Sequence, residues 1–291
     1  MNLQNIFSDI ESVDPEVYER FDTRRTAMKQ FANFTGKAAL AAMPLALGSM
    51  FKKAYGQTPS AVIGTLQFAL TLEYLEARFY TIGVAGTGVT STANAAALAA
   101  LTKIRNDENK HVVYLQTVIT SLGSTPVPQP VFDFTAGNGS GTGPFLGWDT
   151  NYDIFLAMAQ TFEDTGVRAY KGSAGTLINN KDVLTAALNV HSVEARHASH
   201  LRQMRRARAV AAPGPAYVGN IKPWIELAQS NIGGPFAAPV QPSYAGEEVT
   251  SQGTINILTL PGGASAAAAS ASFDEPLTQA QVLTIVDPFI V

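Results

Sequence analysis

The sequence predicts an all-α protein whose main part is a four-helix bundle, and three observations support this prediction. Four stretches between residues 60 and 210 place apolar side chains at three- and four-residue intervals, as helices with one buried face do. Fewer than ten residues join the first stretch to the second and the third to the fourth, so each pair should form antiparallel neighbours. A loop of about 25 residues separates the second stretch from the third, which is long enough to cross the length of a bundle.

The first predicted helix begins after Pro59-Ser60 and ends at Gly83, because serine favours helix starts and glycine favours helix ends. The second helix begins near Ser91 in an alanine-rich run and ends at Gly123. Their short connection predicts the first antiparallel hairpin.

The third predicted helix follows Asp149 or Asn151 and weakens at Gly172. The fourth runs from behind Asn180 to a basic cluster that ends at Arg208. The loop that precedes this second hairpin is rich in Pro, Gly and Ser, and we interpret it as the single crossover between helices 2 and 3. A flexible linker between two domains is the alternative.

Both ends of the chain differ in composition from the bundle, which we assign to residues 57–210. Residues 211–291 are rich in Pro, Gly, Ala and Ser, and they predict an irregular C-terminal extension with short helices that packs on the bundle. Residues 1–56 contain Arg24-Arg25, a weakly apolar run over residues 31–51 and a small-residue exit, a pattern similar to a twin-arginine signal peptide. A retained anchor or an amphipathic helix is the alternative.

A cleaved twin-arginine signal implies transport by the twin-arginine translocase to the periplasm or cell envelope. It also implies no stable membrane insertion after processing, because the apolar run is interrupted and weaker than a membrane-spanning helix requires. The whole chain has a net charge of −3, so the sequence offers no concentrated basic face for nucleic acid. It leaves open whether the chain forms a homo-oligomer.

Two of the predicted helices contain the pattern Glu-x-x-His. The pairs are Glu108 with His111 in the second helix and Glu194 with His197 in the fourth. Residues three apart share a helix face, so both side chains of a pair can reach one inner position. The chain has no cysteine, so any metal ligands must be oxygen or nitrogen, which favours iron or manganese.

The other two helices each carry a lone glutamate on the apolar stripe, with a tyrosine two turns later. These pairs are Glu73 with Tyr80 and Glu163 with Tyr170. The glutamates of the first and third helices are 90 residues apart and those of the second and fourth 86 apart, so the chain contains two similar hairpins. Facing hairpins would bring four carboxylates and two imidazoles to one centre.

Electrostatic energy bears on whether these glutamates lie in a buried site or at the surface. Four ionised carboxylates buried without cations would each be several kcal/mol unfavourable and would repel one another. Two divalent metal ions would neutralise them. The alternative is that each glutamate lies at the edge of its stripe and reaches solvent.

This pattern resembles the ferritin-like superfamily of di-iron and di-manganese carboxylate proteins, and residues 66–80 are similar to an exported bacterial branch called ferritin-like domain proteins. The resemblance covers about 150 residues and only loosely includes the C-terminal extension. It implies terminal ligands Glu73 and Glu163, bridging ligands Glu108 and Glu194, and one imidazole per metal from His111 and His197.

Several neighbouring residues invite further interpretation. Glu76 could replace or join Glu73 as a ligand, and Asp107 could orient a ligand histidine. Tyr80 and Tyr170 are expected to be buried hydrogen-bond donors to the site carboxylates. Four other residues are interpreted as lying outside the site: His191 and His200 in the core or at the surface, and Arg168 and Arg196 on the solvated face.

The sequence therefore predicts a dinuclear metal protein with a role in oxidative stress or metal handling. One alternative is an oxidoreductase that acts on dioxygen or peroxide, similar to manganese catalase. The other is a structural or interaction module with a vestigial metal site. Whether the chain is an enzyme stays open, because a fold alone does not fix an activity.

Overall fold

Four long helices dominate the computed structural model, which describes residues 60–291. The predicted signal peptide at residues 1–56 lies outside the described residues. The first hairpin region contains α1 (Ser60–Gly83), the short α2 (Thr87–Thr92) and α3 (Ala95–Ser121), and the second contains α4 (Tyr152–Leu177) and α5 (Lys181–Ala211). Helix α1 packs on α3, α4 packs on α5, and contacts between α1 and α4 join the two hairpins. The predicted all-α bundle with one long crossover is confirmed.

Two helix boundaries differ from the sequence prediction. The alanine-rich region divides into α2 and α3, because Asn94 begins a new helix by accepting a hydrogen bond from the backbone N–H of Ala97. Helix α4 continues through Gly172 to Leu177. A Cβ atom at Gly172 would lie 1.9 Å from the carbonyl oxygen of Leu277, so this glycine admits the C-terminal extension rather than ending the helix.

The crossover between α3 and α4 is held against the bundle by side chains. Gln67 of α1 donates to the carbonyl oxygen of Thr125 at 2.7 Å and accepts from the N–H of Val127 at 2.8 Å. Further along, Asp133 accepts hydrogen bonds from the backbone N–H groups of Gly139 and Gly141. These hydrogen bonds give the loop a defined conformation within the fold.

The extension after α5 consists of short elements. These are α6 (Ala237–Val240), β1 (Ser251–Gln252), β2 (Ile255–Asn256), α7 (Ala266–Ser270), α8 (Gln279–Val286) and single 3-10 turns at Gly234–Phe236, Gln241–Ser243, Ile257–Thr259 and Asp287–Phe289. Strands β1 and β2 form one antiparallel pair with Ser251 opposite Asn256. Within residues 60–291, no helix combines the length and apolar character that crossing a membrane would require.

Buried arginines connect this extension to the bundle. Arg168 of α4 donates to the carbonyl oxygens of Ser243, Ala245 and Glu275 and pairs with the carboxylate of Glu247 at 2.8 Å. The prediction that Arg168 lies on the solvated face is wrong, because the extension covers it and leaves it 1% exposed. Its guanidinium carries five donors and hydrogen-bonds three backbone carbonyls of the extension at once.

Two arginines of α5 also lie where the extension meets the bundle. Arg202 is fully buried and forms a two-point contact with Asp164, which also accepts a hydrogen bond from Tyr244 of the extension. Arg205 donates to the carbonyl oxygens of Ala216 and Asn231. The extension thus docks through arginine-to-backbone contacts as well as through apolar packing.

An aromatic cluster fills the bundle on the side where α1 ends and α4 begins. The ring of Phe79 stacks on Phe155 with centroids 4.9 Å apart and on Trp148 with centroids 5.1 Å apart. Phe162 meets Phe79 edge to face at 5.0 Å. Beyond this aromatic cluster, polar residues lie in the middle of the four helices.

Candidate metal centre

The six predicted ligands converge in the middle of the bundle. Each of the four long helices contributes at least one of them: Glu73 from α1, Glu108 and His111 from α3, Glu163 from α4, and Glu194 and His197 from α5. All four glutamates are 0% exposed, so the alternative in which they reach solvent is wrong. His197 is buried and His111 is partly buried.

These residues form two overlapping groups with ligand atoms no more than 4.8 Å apart. One group contains Glu73, Glu108, His111 and Glu194, and the other contains Glu108, Glu163, Glu194 and His197. Glu108 and Glu194 belong to both groups, which is the arrangement that two carboxylates bridging a pair of positions would give. Each position then has one further glutamate and one histidine.

Both histidines direct Nδ1 at the carboxylates. The Nδ1 atom of His111 lies 3.2 Å from Glu73 Oε2, 3.1 Å from Glu108 Oε2 and 3.2 Å from Glu194 Oε1. The Nδ1 atom of His197 lies 2.9 Å from Glu108 Oε1 and 3.2 Å from Glu163 Oε2. One ring nitrogen has at most one hydrogen to donate, so it cannot satisfy several carboxylate oxygens. The geometry is compatible with a cation between the nitrogen and the oxygens.

Three carboxylate oxygens of this cluster have no hydrogen-bond partner among the described residues: Glu108 Oε1 and both oxygens of Glu194. The short distance from His197 Nδ1 to Glu108 Oε1 lacks hydrogen-bond alignment, and so does the distance from His111 Nδ1 to Glu194 Oε1. Buried charged oxygens without partners are strongly unfavourable unless a cation coordinates them. The donor set, all oxygen and imidazole nitrogen, therefore fits a hard or borderline metal ion.

Burial and the crowded charge favour the protonated forms of these side chains. Burial and the charge of Glu194 raise the pKa of Glu108 to about 8, and burial raises the pKa of Glu194 well above its usual value. Burial alone would lower the pKa of His197, but the charge of Glu163, its hydrogen bond with His197 and the nearby charge of Glu108 outweigh burial and raise that pKa to about 11. The cluster therefore favours positive charge, whether it comes from protons or from metal ions.

The two tyrosines hold the terminal glutamates across the hairpins. Tyr80 of α1 donates a 2.6 Å hydrogen bond to Oε1 of Glu163 on α4, and Tyr170 of α4 donates to Oε1 of Glu73 on α1. The second oxygen of each glutamate then faces a histidine. Both tyrosines are buried donors, as the sequence suggested.

Asp107 contacts one histidine from the outer side. Its Oδ2 lies 3.5 Å from Nε2 of His197, and it also pairs with Lys103. Although desolvation opposes ionisation, the contacts with Lys103 and His197 lower the pKa of Asp107. The equivalent position on α5, one residue before Glu194, is Val193, so His111 has no such carboxylate there. The other two histidines lie outside the cluster, with His191 Nδ1 instead 2.9 Å from the carbonyl oxygen of Val167.

A fifth buried glutamate adjoins the centre. Glu76 is 3% exposed, and burial together with the charges of Glu194 and Glu163 raises its pKa well above the usual value. A Cβ atom placed on Gly166 of α4 would lie 3.1 Å from Glu76 Oε1. Gly166 lies three residues after Glu163, the position that matches Glu76 after Glu73, and this spacing is the signal in the sequence that could have pointed to it.

Comparison with known proteins agrees with the four-helix bundle and with the buried group of carboxylates and histidines. A family model described as a ferritin-like domain matches residues 61–207, about half of the chain, from near the start of α1 to near the end of α5. No curated protein sequence matches the chain. The match contains all four helices and the buried carboxylate and histidine group that is compatible with metal binding. The chain belongs to the ferritin-like domain family.

Proposed function

We propose that this protein binds two divalent iron or manganese ions and acts in metal handling or protection from oxidative stress. Glu73 and His111 would hold one ion, Glu163 and His197 the other, and Glu108 and Glu194 would bridge them. The observation that carries the proposal is the pair of overlapping ligand groups with buried, unpartnered oxygens on both shared glutamates.

The charge of the centre supports two ions rather than one. Four carboxylates supply four negative charges, which two divalent ions neutralise, while two neutral imidazoles complete the donor set. When bound, such a pair of ions supplies Lewis acidity and redox chemistry in a site closed to bulk water. The tyrosines orient Glu73 and Glu163 for this role, because each occupies one carboxylate oxygen and leaves the other for an ion.

Export is part of the proposal and rests on the sequence of residues 1–56. The twin-arginine route carries proteins that are already folded, so a metal loaded inside a closed bundle could travel with it to the periplasm or cell envelope. A fusion of residues 1–56 to a reporter tests this directly. Export that is lost when Arg24 and Arg25 are both replaced by lysine is expected, whereas export that persists after the replacement would contradict it.

Elemental analysis of protein purified after export tests the metal content. The expected result is close to two iron or manganese ions per chain, lost in the double variant Glu108→Ala plus Glu194→Ala. A matched control carries two alanine substitutions at glutamates outside the centre, Glu226 and Glu248, and should retain both ions. Wild-type protein with no bound metal would leave only the structural or interaction module.

An oxidoreductase acting on dioxygen is the second candidate, and a cavity favours it over peroxide. The cavity has a volume of about 20 Å³ and is lined almost entirely by apolar atoms, with Ala69, Val190 and Tyr170 among its lining residues. Tyr170 connects it to the centre, because its hydroxyl donates to Glu73. A polar peroxide would lose its hydrogen bonds on entering such a cavity, whereas dioxygen has none to lose.

Filling the cavity tests this candidate. Ala187 also lines the cavity, and the variant Ala187→Leu should slow the oxidation of the ferrous-loaded protein by dissolved dioxygen while leaving iron stoichiometry unchanged, as followed by stopped-flow absorbance. Ala99→Leu, at an exposed position of α3, is the matched control. Equal oxidation rates in both variants and the wild type would exclude the cavity as the route.

A further inference from the structure

Another cavity lies where the extension meets the bundle, and the proposed metal function does not use it. Its volume is about 110 Å³, and it is partly open to solvent. Polar and aromatic side chains from both parts of the fold line it: Asp164, Ser199 and Arg202 from α4 and α5, and Trp224 and Asp274 from the extension. None of these five residues belongs to either ligand group of the metal centre. The cavity is therefore a separate candidate for a binding site.

Arg202 has a donor that the protein itself leaves unused. Its guanidinium contacts Asp164 through Nε and Nη2, and the side chain is 1% exposed. The third nitrogen, Nη1, is buried and has no hydrogen-bond partner within residues 60–291. A buried cationic nitrogen without an acceptor is unfavourable, so an oxygen atom supplied from the cavity would stabilise it.

Two carboxyl groups limit the charge that a ligand of this cavity can carry. Asp164 is 4% exposed and accepts hydrogen bonds from Arg202 and from the hydroxyl of Tyr244. Burial and the charge of Asp164 raise the pKa of Asp274, the second carboxyl group of the lining. Two acidic groups disfavour an anion, while the guanidinium disfavours a cation. The lining therefore suits a neutral ligand that both donates and accepts hydrogen bonds, as hydroxyl groups do.

Trp224 supplies an aromatic surface beside these polar groups. Its side chain is 49% exposed, and Pro223 next to it also lines the cavity. The Lys222 ammonium lies 5.8 Å from the centroid of the indole ring and pairs with Glu226, and these contacts favour one orientation of the ring. An aromatic face among a few polar groups suits a molecule with an apolar face and a polar rim. A pyranose ring has this distribution, with C–H groups on its faces and hydroxyls around its edge.

We infer that this cavity binds one neutral hexopyranose ring. The hydroxyl groups of the sugar would contact Arg202, Asp274 and Ser199, and its C–H face would pack on Trp224. The cavity is partly open, so the ring can be a free monosaccharide or the end of a longer glycan. Binding needs no metal ion, because the cavity contains none of the six metal ligands.

Tryptophan fluorescence of the full chain tests this inference. The chain contains two tryptophans, and Trp148 is only 8% exposed, so quenching by acrylamide reports mainly on Trp224. The probes are D-glucose, D-galactose and D-mannose, and at least one of them should protect Trp224 from acrylamide in a saturable manner. D-Glucuronate and D-glucosamine, which add a negative or a positive charge to the same kind of ring, should bind at least about tenfold more weakly than the best neutral probe.

Two variants locate the binding, which saturation-transfer NMR measures for each protein. Trp224→Ala removes the aromatic surface and Ser199→Leu fills the cavity, so each should weaken binding by at least about tenfold. Ser192→Leu makes the same replacement at an exposed position of α5 and should bind as the wild type does. All three variants should retain the metal content of the wild type, and thermal melting checks that they fold.

Maltose distinguishes a glycan end from a free sugar, since it should bind at least as tightly as D-glucose in the first case and more weakly in the second. Failure of all three neutral sugars to protect Trp224 would show that the cavity holds only water. Tighter binding of D-glucuronate than of any neutral sugar would make the cavity an anion site instead. Sugar binding that survives both Trp224→Ala and Ser199→Leu would place the sugar elsewhere on the protein. The two-metal function stands or fails independently of these results.

Discussion

Tyr80 on α1 donates a 2.6 Å hydrogen bond to Glu163 on α4, and the reciprocal bond runs from Tyr170 on α4 to Glu73 on α1. The two hairpins are therefore joined by a crossed pair of contacts beside the centre. Each bond occupies Oε1 of a glutamate whose Oε2 faces a histidine. The orientation of a ligand in one hairpin thus depends on a residue of the other hairpin.

Removing these hydroxyls should weaken metal binding without destroying the bundle. Tyr80→Phe and Tyr170→Phe are each expected to lower metal affinity by about 10–100-fold, as the loss of an orienting contact does. Isothermal titration of the metal-free protein with Mn²⁺ measures the change. Tyr74→Phe is the control, because the Tyr74 hydroxyl donates to the carbonyl oxygen of Val127, away from the centre. Affinities that fall equally in all three variants would contradict the orienting role.

The metal-free protein should lose stability as pH rises. The pKa of Glu108 is raised from 4.5 to about 8, so its protonated form adds stability that is present below pH 4.5 and lost as pH rises through about 8. The pKa of His197 is raised from 6.5 to about 11, so its contribution is complete below pH 6.5 and also decreases as pH rises. Both shifts predict that the melting temperature in the presence of a chelator falls between pH 6 and pH 9.

Metal loading should change this pH dependence, because ions and protons compete for the same ligands. The difference in melting temperature between the loaded and chelated protein is therefore expected to grow from pH 6 to pH 9. Differential scanning calorimetry at matched ionic strength measures it. A chelated protein that becomes more stable over this range would show that protons do not compensate the buried carboxylates.

Asp107 should affect one metal position and not the other. Asp107→Asn removes the carboxylate that lies 3.5 Å from Nε2 of His197, while His111 has Val193 at the equivalent place. Competition with a chromophoric chelator is expected to show one of two binding steps weakened by about tenfold. Lys103→Met, which removes one of the two lysines that pair with Asp107, tests whether the effect arises only from surface charge. It should leave both steps close to the wild-type values.

Arg168 should be essential for docking the extension. Arg168→Met leaves Glu247 buried without its partner and three carbonyl oxygens without a donor, so we expect a loss of about 3–5 kcal/mol in the free energy of unfolding. Urea denaturation followed by circular dichroism measures the loss. Arg196→Met, at an exposed position of α5, should change stability by less than about 0.5 kcal/mol.

The double variant Arg168→Met plus Glu247→Met separates the loss of the ion pair from the loss of the hydrogen bonds to carbonyl oxygens. It should recover part of the stability lost in Arg168→Met, because the unpaired carboxylate is then absent. A double variant as unstable as the single one would assign the loss to the carbonyl contacts of Arg168 together with the hydrogen bond that Glu247 accepts from the N–H of Glu275.

Helical periodicity explains why the centre could be predicted from sequence. Glu108 and His111 face one direction because they are three residues apart on a helix, and this relation holds whatever lies opposite. The spacing of the two hairpins then predicted that Glu73 and Glu163 would occupy equivalent places. These inferences use only local geometry and repetition, which a single sequence contains.

Tertiary partners explain what the sequence did not reveal. Arg168 looks like any arginine of a helix until the extension, 75 to 107 residues later, covers it. Gly172 resembles a helix end, but it is the place where Leu277 approaches the backbone of α4. Such roles depend on contacts between distant segments, and periodicity carries no information about them.

The carbonyl oxygen of Glu275 that Arg168 binds is separated from it by 107 positions. A ribosome making this chain has therefore completed all four long helices well before that acceptor is synthesised. The guanidinium must stay hydrated, or the bundle loosely closed, for the several seconds that elongation of this stretch takes at about 5–20 residues per second. Final docking of the extension is thus a late event of biosynthesis, and chains that terminate before it would leave Arg168 and Arg205 without their carbonyl acceptors.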